Sequence, residues 1–219
     1  MQATPLVSVI TAIYNRKHTL ARAIASLRQQ QFQDFEWIAV DDGSTDDSFE
    51  IVKAHASEFH HVQLIQKTHT GIADTWNTGI RAARGRWITF LDSDDAYLPD
   101  HLQIRVNYIQ AHPEIDLLHS TATLVGKEED FWVPDRSNPS RNIHLKDCAI
   151  GATFFMKRQV WETLDGFRQV LFPDADFLER AELRFHVVKI DAPTYVYFRN
   201  SSDSFLNKIK QQGPSSGKH

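Results

Sequence analysis

Apolar positions along the first hundred residues switch repeatedly between two periods. Leu6-Val7-Ser8-Val9-Ile10-Thr11-Ala12 is a β-rich run that predicts a strand. From about Lys17 to Gln31, Leu20, Ala23, Ile24 and Leu27 fall at helical spacing. Trp37-Ile38-Ala39-Val40 predicts a second, buried strand. Ser44 to about Phe59 predicts a helix, with Ser44 or Thr45 as N-cap and Asp46 and Asp47 in its first turn. Val62-Gln63-Leu64-Ile65 reads as a third strand, Gly71 to Ala83 as a helix stopped by Gly85, and Trp87 to Leu91 as a fourth strand. This βαβαβαβ rhythm predicts an α/β fold with a parallel, doubly wound sheet flanked by helices.

The second half is less regular. Asp100 to about Ala111 predicts a helix that ends before Pro113, and Ile115 to Val125 predicts one or two strands. Pro134 to Asn142, built of Pro, Ser, Asn, Asp and Arg, reads as a mobile loop. Ile150 to Met156 predicts a strand, Arg158 to Leu164 a short helix and Asp174 to about Phe185 another. Val187-Val188-Lys189-Ile190 and Tyr195-Val196-Tyr197-Phe198 predict two further strands. From Gln211 the chain is polar, with Gly213, Pro214 and Gly217, and disorder is expected at 211–219.

Composition narrows the class. Of the 219 residues, 42% are hydrophobic and 24% charged, as in soluble globular proteins, and the net charge of -4 gives no reason to expect nucleic-acid binding. Cys148 is the single cysteine, so no intrachain disulfide can form. The first strand starts within about five residues, which leaves no room for a signal peptide. No apolar run approaches the ~18 residues that a bilayer demands. A cytoplasmic location is the expectation, with peripheral contact at the inner membrane face left open because no anchor is visible. The 11 histidines are scattered and form no HExxH-type metal spacing.

Two acidic clusters carry the candidate chemistry. Asp92-Ser93-Asp94-Asp95 directly follows the fourth strand. Unpaired carboxylates at a strand end repel one another and lose hydration, and a hard divalent cation beside a phosphate-bearing substrate relieves both costs. The plainer alternative is an acidic turn capping the helix that Leu98-Pro99 opens. Val40-Asp41-Asp42-Gly43-Ser44-Thr45-Asp46 follows the second strand, and Gly43 permits a tight turn. A carboxylate there can accept from a base imide N–H or a ribose hydroxyl; helix capping accounts for Ser44 to Asp47 but not for Asp41.

Ser8-Val9-Ile10-Thr11-Ala12-Ile13-Tyr14-Asn15-Arg16, Val40 to Asp46, Asn77-Thr78-Gly79 and Phe90-Leu91-Asp92-Ser93-Asp94-Asp95 occur in this order. In that order and spacing the chain resembles the family 2 glycosyltransferases, inverting enzymes of GT-A fold, over roughly residues 5 to 200. The resemblance implies a mostly parallel central sheet in a single domain at 1–210, with a nucleotide-binding half at 1–98 and an acceptor-side half at 99–210. It implies that Thr11, Ala12, Tyr14 and Arg16 line the nucleotide, that Asp41 reads the base, usually uracil, and that Asn77 and Ser93 belong to the same site. Asp92 and Asp94 match the DxD pair that touches ribose and a Mg²⁺ or Mn²⁺ ion. The implied partners are a UDP-sugar donor and a saccharide or lipid-linked acceptor.

The match has departures. Where many members carry Ala-Arg-Asn-x-Gly, this chain has Ala73-Asp74-Thr75-Trp76-Asn77-Thr78-Gly79. Lys67, His69 or Arg81 are the candidates to replace the arginine, and Trp76 reads as core. Phe172-Pro173-Asp174-Ala175-Asp176 resembles the family's Glu-Asp-x-Asp motif, with Pro173 in place of Glu, Asp174 as the implied base and Asp176 as its runner-up. Two acids at a helix start also need no function. Gly151-Ala152-Thr153 and Leu164-Asp165-Gly166-Phe167 resemble segments near the donor sugar and acceptor entrance. Arg199-Asn200-Ser201-Ser202 lacks the histidine that often ligates metal there, and Lys208 and Lys210 read as solvated. A nucleotidyltransferase is disfavoured because Thr11 to Thr19 contains no glycine for a triphosphate loop. A donor-binding scaffold without turnover is the remaining alternative.

Overall fold

A computed structural model describes residues 4–199 except 137 and 139. The readings at Asn200 to Ser202, Lys208, Lys210 and the 211–219 tail lie outside the described residues. In chain order the elements are β1 (Val7–Ile13), α1 (Leu20–Arg28), β2 (Phe35–Asp41), α2 (Ser48–His55), β3 (Val62–Gln66), α3 (Ile72–Ala82), β4 (Trp87–Phe90) and β5 (Ala96–Tyr97). There follow α4 (His101–Ala111), β6 (Leu117–Val125), β7 (Trp132–Pro134), β8 (Asn142–His144), β9 (Phe155–Lys157), α5 (Arg158–Thr163), α6 (Pro173–Glu182) and β10 (Val187–Phe198).

Eight strands form one sheet in the order β3-β2-β1-β4-β9-β6-β10-β5. The first four pair in parallel, as the βα rhythm predicts. β9 runs antiparallel to both β4 and β6, and β5 antiparallel to β10, so the sheet is mixed in its second half. Alternate residues of β1 feed opposite cores: Val7 and Val9 join α1 and α4 on one face, while Ile10 and Ala12 join α3 and α6 on the other. Both faces are therefore covered, which is why β1, β2 and β4 are buried along their whole length and read as continuous apolar runs.

Three expectations need correction. The helix foreseen from Ser44 begins at Ser48, because Ser44 Oγ instead accepts from the Asn15 N–H at 3.0 Å and Thr45 N–H donates to Asn15 Oδ1 at 2.8 Å. The strand foreseen from Ile150 begins at Phe155, after a 3-10 turn at Gly151–Thr153. The two strands foreseen at 187–190 and 195–198 are one strand, β10, whose register against β6 shifts between Ile190 and Tyr195. The Pro134–Asn142 loop joins β7 to β8 in an antiparallel hairpin. No helix among the described residues is long and apolar enough to cross a membrane.

Candidate active site

The carboxyl ends of β1, β2 and β4 lie side by side, since the β1–β2 and β1–β4 registers are continuous and parallel. This is where ligands gather in open α/β sheets. The Asp92–Asp95 turn leaves β4 here, and its acids divide by role. Asp95 is fully buried and accepts from Tyr195 O–H at 2.7 Å and from the Phe198 N–H at 2.8 Å, so it ties the turn to β10. The Tyr195 hydroxyl in turn accepts from the Asp92 N–H at 3.3 Å. Burial, then the charges of Asp94 and Asp92, hold the Asp95 carboxyl well above the usual carboxylate range.

Asp92 and Asp94 are the half-buried pair. Burial, then the charges of Asp94 and Asp174, push the Asp92 carboxyl up to about 7, against the opposing pull of Arg16. Asp94 faces the Arg16 guanidinium at 3.5 Å. Its carbonyl accepts from Arg22, which stacks its guanidinium 3.5 Å over the Phe198 ring. Ser93 is buried, and its carbonyl accepts from Thr19 O–H at 3.0 Å. Among the described residues no group of three or more His, Cys, Asp or Glu is arranged to hold a metal ion. Two crowded carboxylates fit a different arrangement, in which Mg²⁺ or Mn²⁺ is bound by one or two carboxylates together with substrate phosphates.

The second acidic motif divides in the same way. Gly43 takes φ +74°, a left-handed turn that swings the chain off β2. Asp41 is 1% exposed; its Oδ2 accepts from the Ser44 N–H at 3.1 Å, and its Oδ1 is buried with no hydrogen-bond partner. An unsatisfied buried carboxylate oxygen is costly unless a ligand donor meets it. Asp42 accepts from the Thr70 N–H at 3.0 Å and the Gly71 N–H at 2.9 Å, and pairs with Lys67 and with His69 at 2.8 Å. Burial alone would raise its carboxyl, but Lys67 and the two amides hold it below the usual range. Lys67 also reaches Asp74 at 3.2 Å, so of the three candidates for the missing arginine, Lys67 and His69 contact Asp42 and Lys67 also ties it to α3. His69 stacks on Tyr14 at 4.0 Å between ring centres, and Arg81 pairs with Asp74 at 3.6 Å.

Thr11 and Asn77, both expected at the nucleotide, are engaged within the protein. Thr11 is 1% exposed, and its hydroxyl accepts from Trp37 Nε1 at 3.0 Å inside the core, beside the buried Ala12. Asn77 Oδ1 accepts from Trp161 Nε1 at 2.8 Å and the Phe167 N–H at 2.9 Å, and its amide donates to the Phe167 carbonyl at 2.8 Å. Asn77 thus locks the turn after α5 onto α3. Asn77→Ala is expected to cost about 2 kcal/mol in urea unfolding, because buried donors lose their acceptor. Nucleotide affinity, read by calorimetry on the folded variant, should stay unchanged. Trp76 packs against Phe90 and Phe167 with ring centres 5.3 and 5.1 Å away, as its core reading requires.

Asp174 comes from α6, far along the chain, yet its charge raises Asp92. Its Oδ2 accepts from the Gly151 N–H at 3.1 Å and its Oδ1 from the Ala175 N–H at 2.9 Å. Burial outweighs these bonds and lifts its carboxyl above the usual range. Asp176 is instead held by Arg180 at 2.8 Å and Arg168 at 3.5 Å. Arg22 and Tyr195 are residues beside the acidic turn that the sequence reading did not place there. Their partners lie tens of residues away, and no local pattern marks them.

Comparison with known proteins agrees with this geometry. The family model described as glycosyl transferase family 2 matches residues 8–164. EpsE of Bacillus subtilis (strain 168) is 33% identical over 177 residues, covering 78% of this chain and 63% of EpsE. An Escherichia coli chondroitin synthase is 30% identical over 179 residues, 81% of this chain but 26% of the synthase. The chain therefore spans only part of the curated relatives it matches. Staphylococcus aureus TarS 1-349, solved in complex with UDP-GlcNAc, superposes with a TM-score of 0.75 at 22% identity, covering 91% of this chain and 60% of that one. A mannosyltransferase from Pyrobaculum calidifontis, solved with GDP-Man and Mn²⁺, gives 0.70 at 21% identity over 93% of this chain and 59% of its own. The overlaps confirm the GT-A architecture, and the match across 8–164 makes this chain a member of glycosyltransferase family 2.

Proposed function

We propose that this chain transfers a sugar, with inversion, from a UDP-linked donor to a saccharide or lipid-linked acceptor. The observation that carries the reading is that Asp174, from a segment remote in the chain, lies near enough to Asp92 for its charge to help raise the Asp92 carboxyl, beside Asp94. Inverting displacement needs negative charge managed on the leaving diphosphate and a carboxylate to take the acceptor proton on the opposite face. Asp94 and Asp92 would hold Mg²⁺ or Mn²⁺, which supplies Lewis-acid stabilisation of the departing diphosphate when bound. Arg16, already beside Asp94, adds a fixed positive charge. Asp174, whose carboxyl burial lifts above its usual range, is a stronger base for it. Its Oδ2 is oriented by Gly151, so the base is aimed before the acceptor arrives.

Base preference follows from Asp41. Its Oδ2 is occupied by Ser44 and by Gln66 at 3.4 Å, which leaves Oδ1 as the single unengaged acceptor. Uracil offers one imide N–H; guanine offers two adjacent N–H edges, which suit a carboxylate with both oxygens free. UDP-GlcNAc in TarS and GDP-Man with Mn²⁺ in the mannosyltransferase support a nucleotide-sugar donor and a divalent ion in this fold. The test is calorimetric titration of UDP and GDP with and without Mn²⁺, on this protein and on Asp94→Ala. Mn²⁺ should tighten UDP at least about tenfold, and Asp94→Ala should lose that gain, since it removes a ligand to the ion. Failure of any nucleoside diphosphate to bind overturns the reading.

A further inference from the structure

Behind Asp174 lies a buried polar chain that runs from the 3-10 turn at Gly151–Thr153 through β6 to α4. Thr153 is fully buried. Its hydroxyl accepts from the Ser120 N–H of β6 at 3.2 Å and donates to the Ile150 carbonyl at 2.7 Å. The Thr153 N–H donates to the same carbonyl at 2.9 Å. The hydroxyl therefore pins the 3-10 turn at Gly151–Thr153 to the central sheet. Ser120 is itself fixed from behind, where its hydroxyl accepts from Arg105 at 2.6 Å. Arg105 is fully buried and also donates to Thr194 Oγ1 at 2.9 Å and the His101 carbonyl at 3.1 Å.

The pinned turn both bonds and confines Asp174. The Gly151 N–H donates to Oδ2. A Cβ added at Gly151 would lie 2.3 Å from Asp174 Cβ, so the turn backbone sits directly against the Asp174 side chain. Any shift of the turn moves the carboxylate with it. Small misplacements of a reacting group are enough to lose on the order of 10²-fold in rate.

We infer that Thr153 is a positioning residue for Asp174, acting through its hydroxyl on the turn that holds the carboxylate. The inference rests on the reading of Asp174 as the general base. Thr153→Val keeps the shape and removes the hydroxyl; Thr153→Ser keeps the hydroxyl. Steady-state turnover is measured with a panel of UDP- and GDP-sugars that includes UDP-GlcNAc and GDP-Man, using the donor that the unaltered protein turns over. Thr153→Val is expected to lower kcat about tenfold with donor KM within about twofold, because the Thr153 hydroxyl bonds the Ser120 N–H and the Ile150 carbonyl and not the acidic turns. Thr153→Ser should restore kcat to within about threefold, and in an Asp174→Asn background Thr153→Val should add less than about twofold.

Unchanged kcat in Thr153→Val, a serine variant as impaired as the valine one, or a loss that persists in the Asp174→Asn background would each overturn the inference. Thr153→Ala serves in the same comparison where the valine variant does not fold. Full turnover by Asp174→Asn sinks the base assignment and the inference together, as does absence of turnover by the unaltered protein across the panel. An inactive Asp174→Asn beside a normal Thr153→Val sinks the inference alone.

Discussion

Asp174→Asn is expected to lower transfer by on the order of 10²–10⁴-fold, the range that a positioned base contributes, while UDP affinity stays within about threefold. The substitution is close to isosteric. The asparagine carbonyl can still accept from the Gly151 or Ala175 N–H, which now meet Oδ2 and Oδ1 at 3.1 and 2.9 Å. What is lost is the capacity to take a proton. In the proposed site donor binding depends on groups at the ends of β1, β2 and β4, so it should not follow. Asp176→Asn is the matched control: that carboxylate is engaged by Arg180 and Arg168, and its loss should weaken α6 while leaving kcat of the folded enzyme near normal. Rates are compared under saturating donor, with calorimetry for UDP. Full turnover by Asp174→Asn would remove the residue from the mechanism.

Much of the first half of the chain was legible because its strands are buried on both faces. Val7 to Ile13 and Phe35 to Asp41 are covered throughout, and burial of that kind demands unbroken apolar runs that a linear reading can see. The acidic turns were legible for the opposite reason: Asp41, Asp42 and Asp92 to Asp95 stand where apolar runs stop, and charge there is costly without a purpose. Turn chemistry misled at α2, where Ser44 and Thr45 bond to Asn15 across 29 and 30 residues instead of capping their own helix. The hydrogen bonds of Asn77 were hidden in the same way, since its partners Trp161 and Phe167 lie 84 and 90 residues away. The short strands β5 and β9 depend on neighbours already in the sheet, and two or three residues carry no period of their own. What sequence could not reveal was which polar residue meets which across the fold, and Tyr195, Thr153 and Glu36 all belong to that class.

Glu36 is the clearest case, and its removal should produce the largest loss of stability. It lies in β2 opposite Ser8 of β1, at the end of the sheet away from the active site, and is fully buried. Its Oε1 accepts from Ser8 O–H at 2.7 Å, the Arg84 N–H at 2.6 Å and the Gly85 N–H at 3.1 Å. Its Oε2 accepts from Gln63 Nε2 and Arg84 Nε, both at 3.1 Å. Every partner is a donor, so only a group with two acceptor oxygens satisfies them. This also explains the chain between α3 and β4: the helix already ends at Ala82, and Gly85 serves as a close-packed donor to Glu36, not as the helix stop. Glu36→Gln would present an NH₂ to Gln63 and Arg84 and is expected to cost about 2–4 kcal/mol, and Glu36→Ala about 3–5 kcal/mol, in urea unfolding at pH 7. Burial alone would raise the Glu36 carboxyl, but Ser8, Arg84 and Gln63 together bring it below its ordinary 4.5. A carboxylate with a depressed folded value stabilises fully above its unfolded pKa and loses that contribution as pH falls through the folded one. The stability gap between the unaltered protein and Glu36→Gln should therefore be widest near pH 7 and narrow on acidification below about pH 4.5. A gap under about 1 kcal/mol at pH 7, or one that does not change with pH, would mean that the donors find water or relax, and that the cluster does not hold β1, β2 and the α3–β4 connection together.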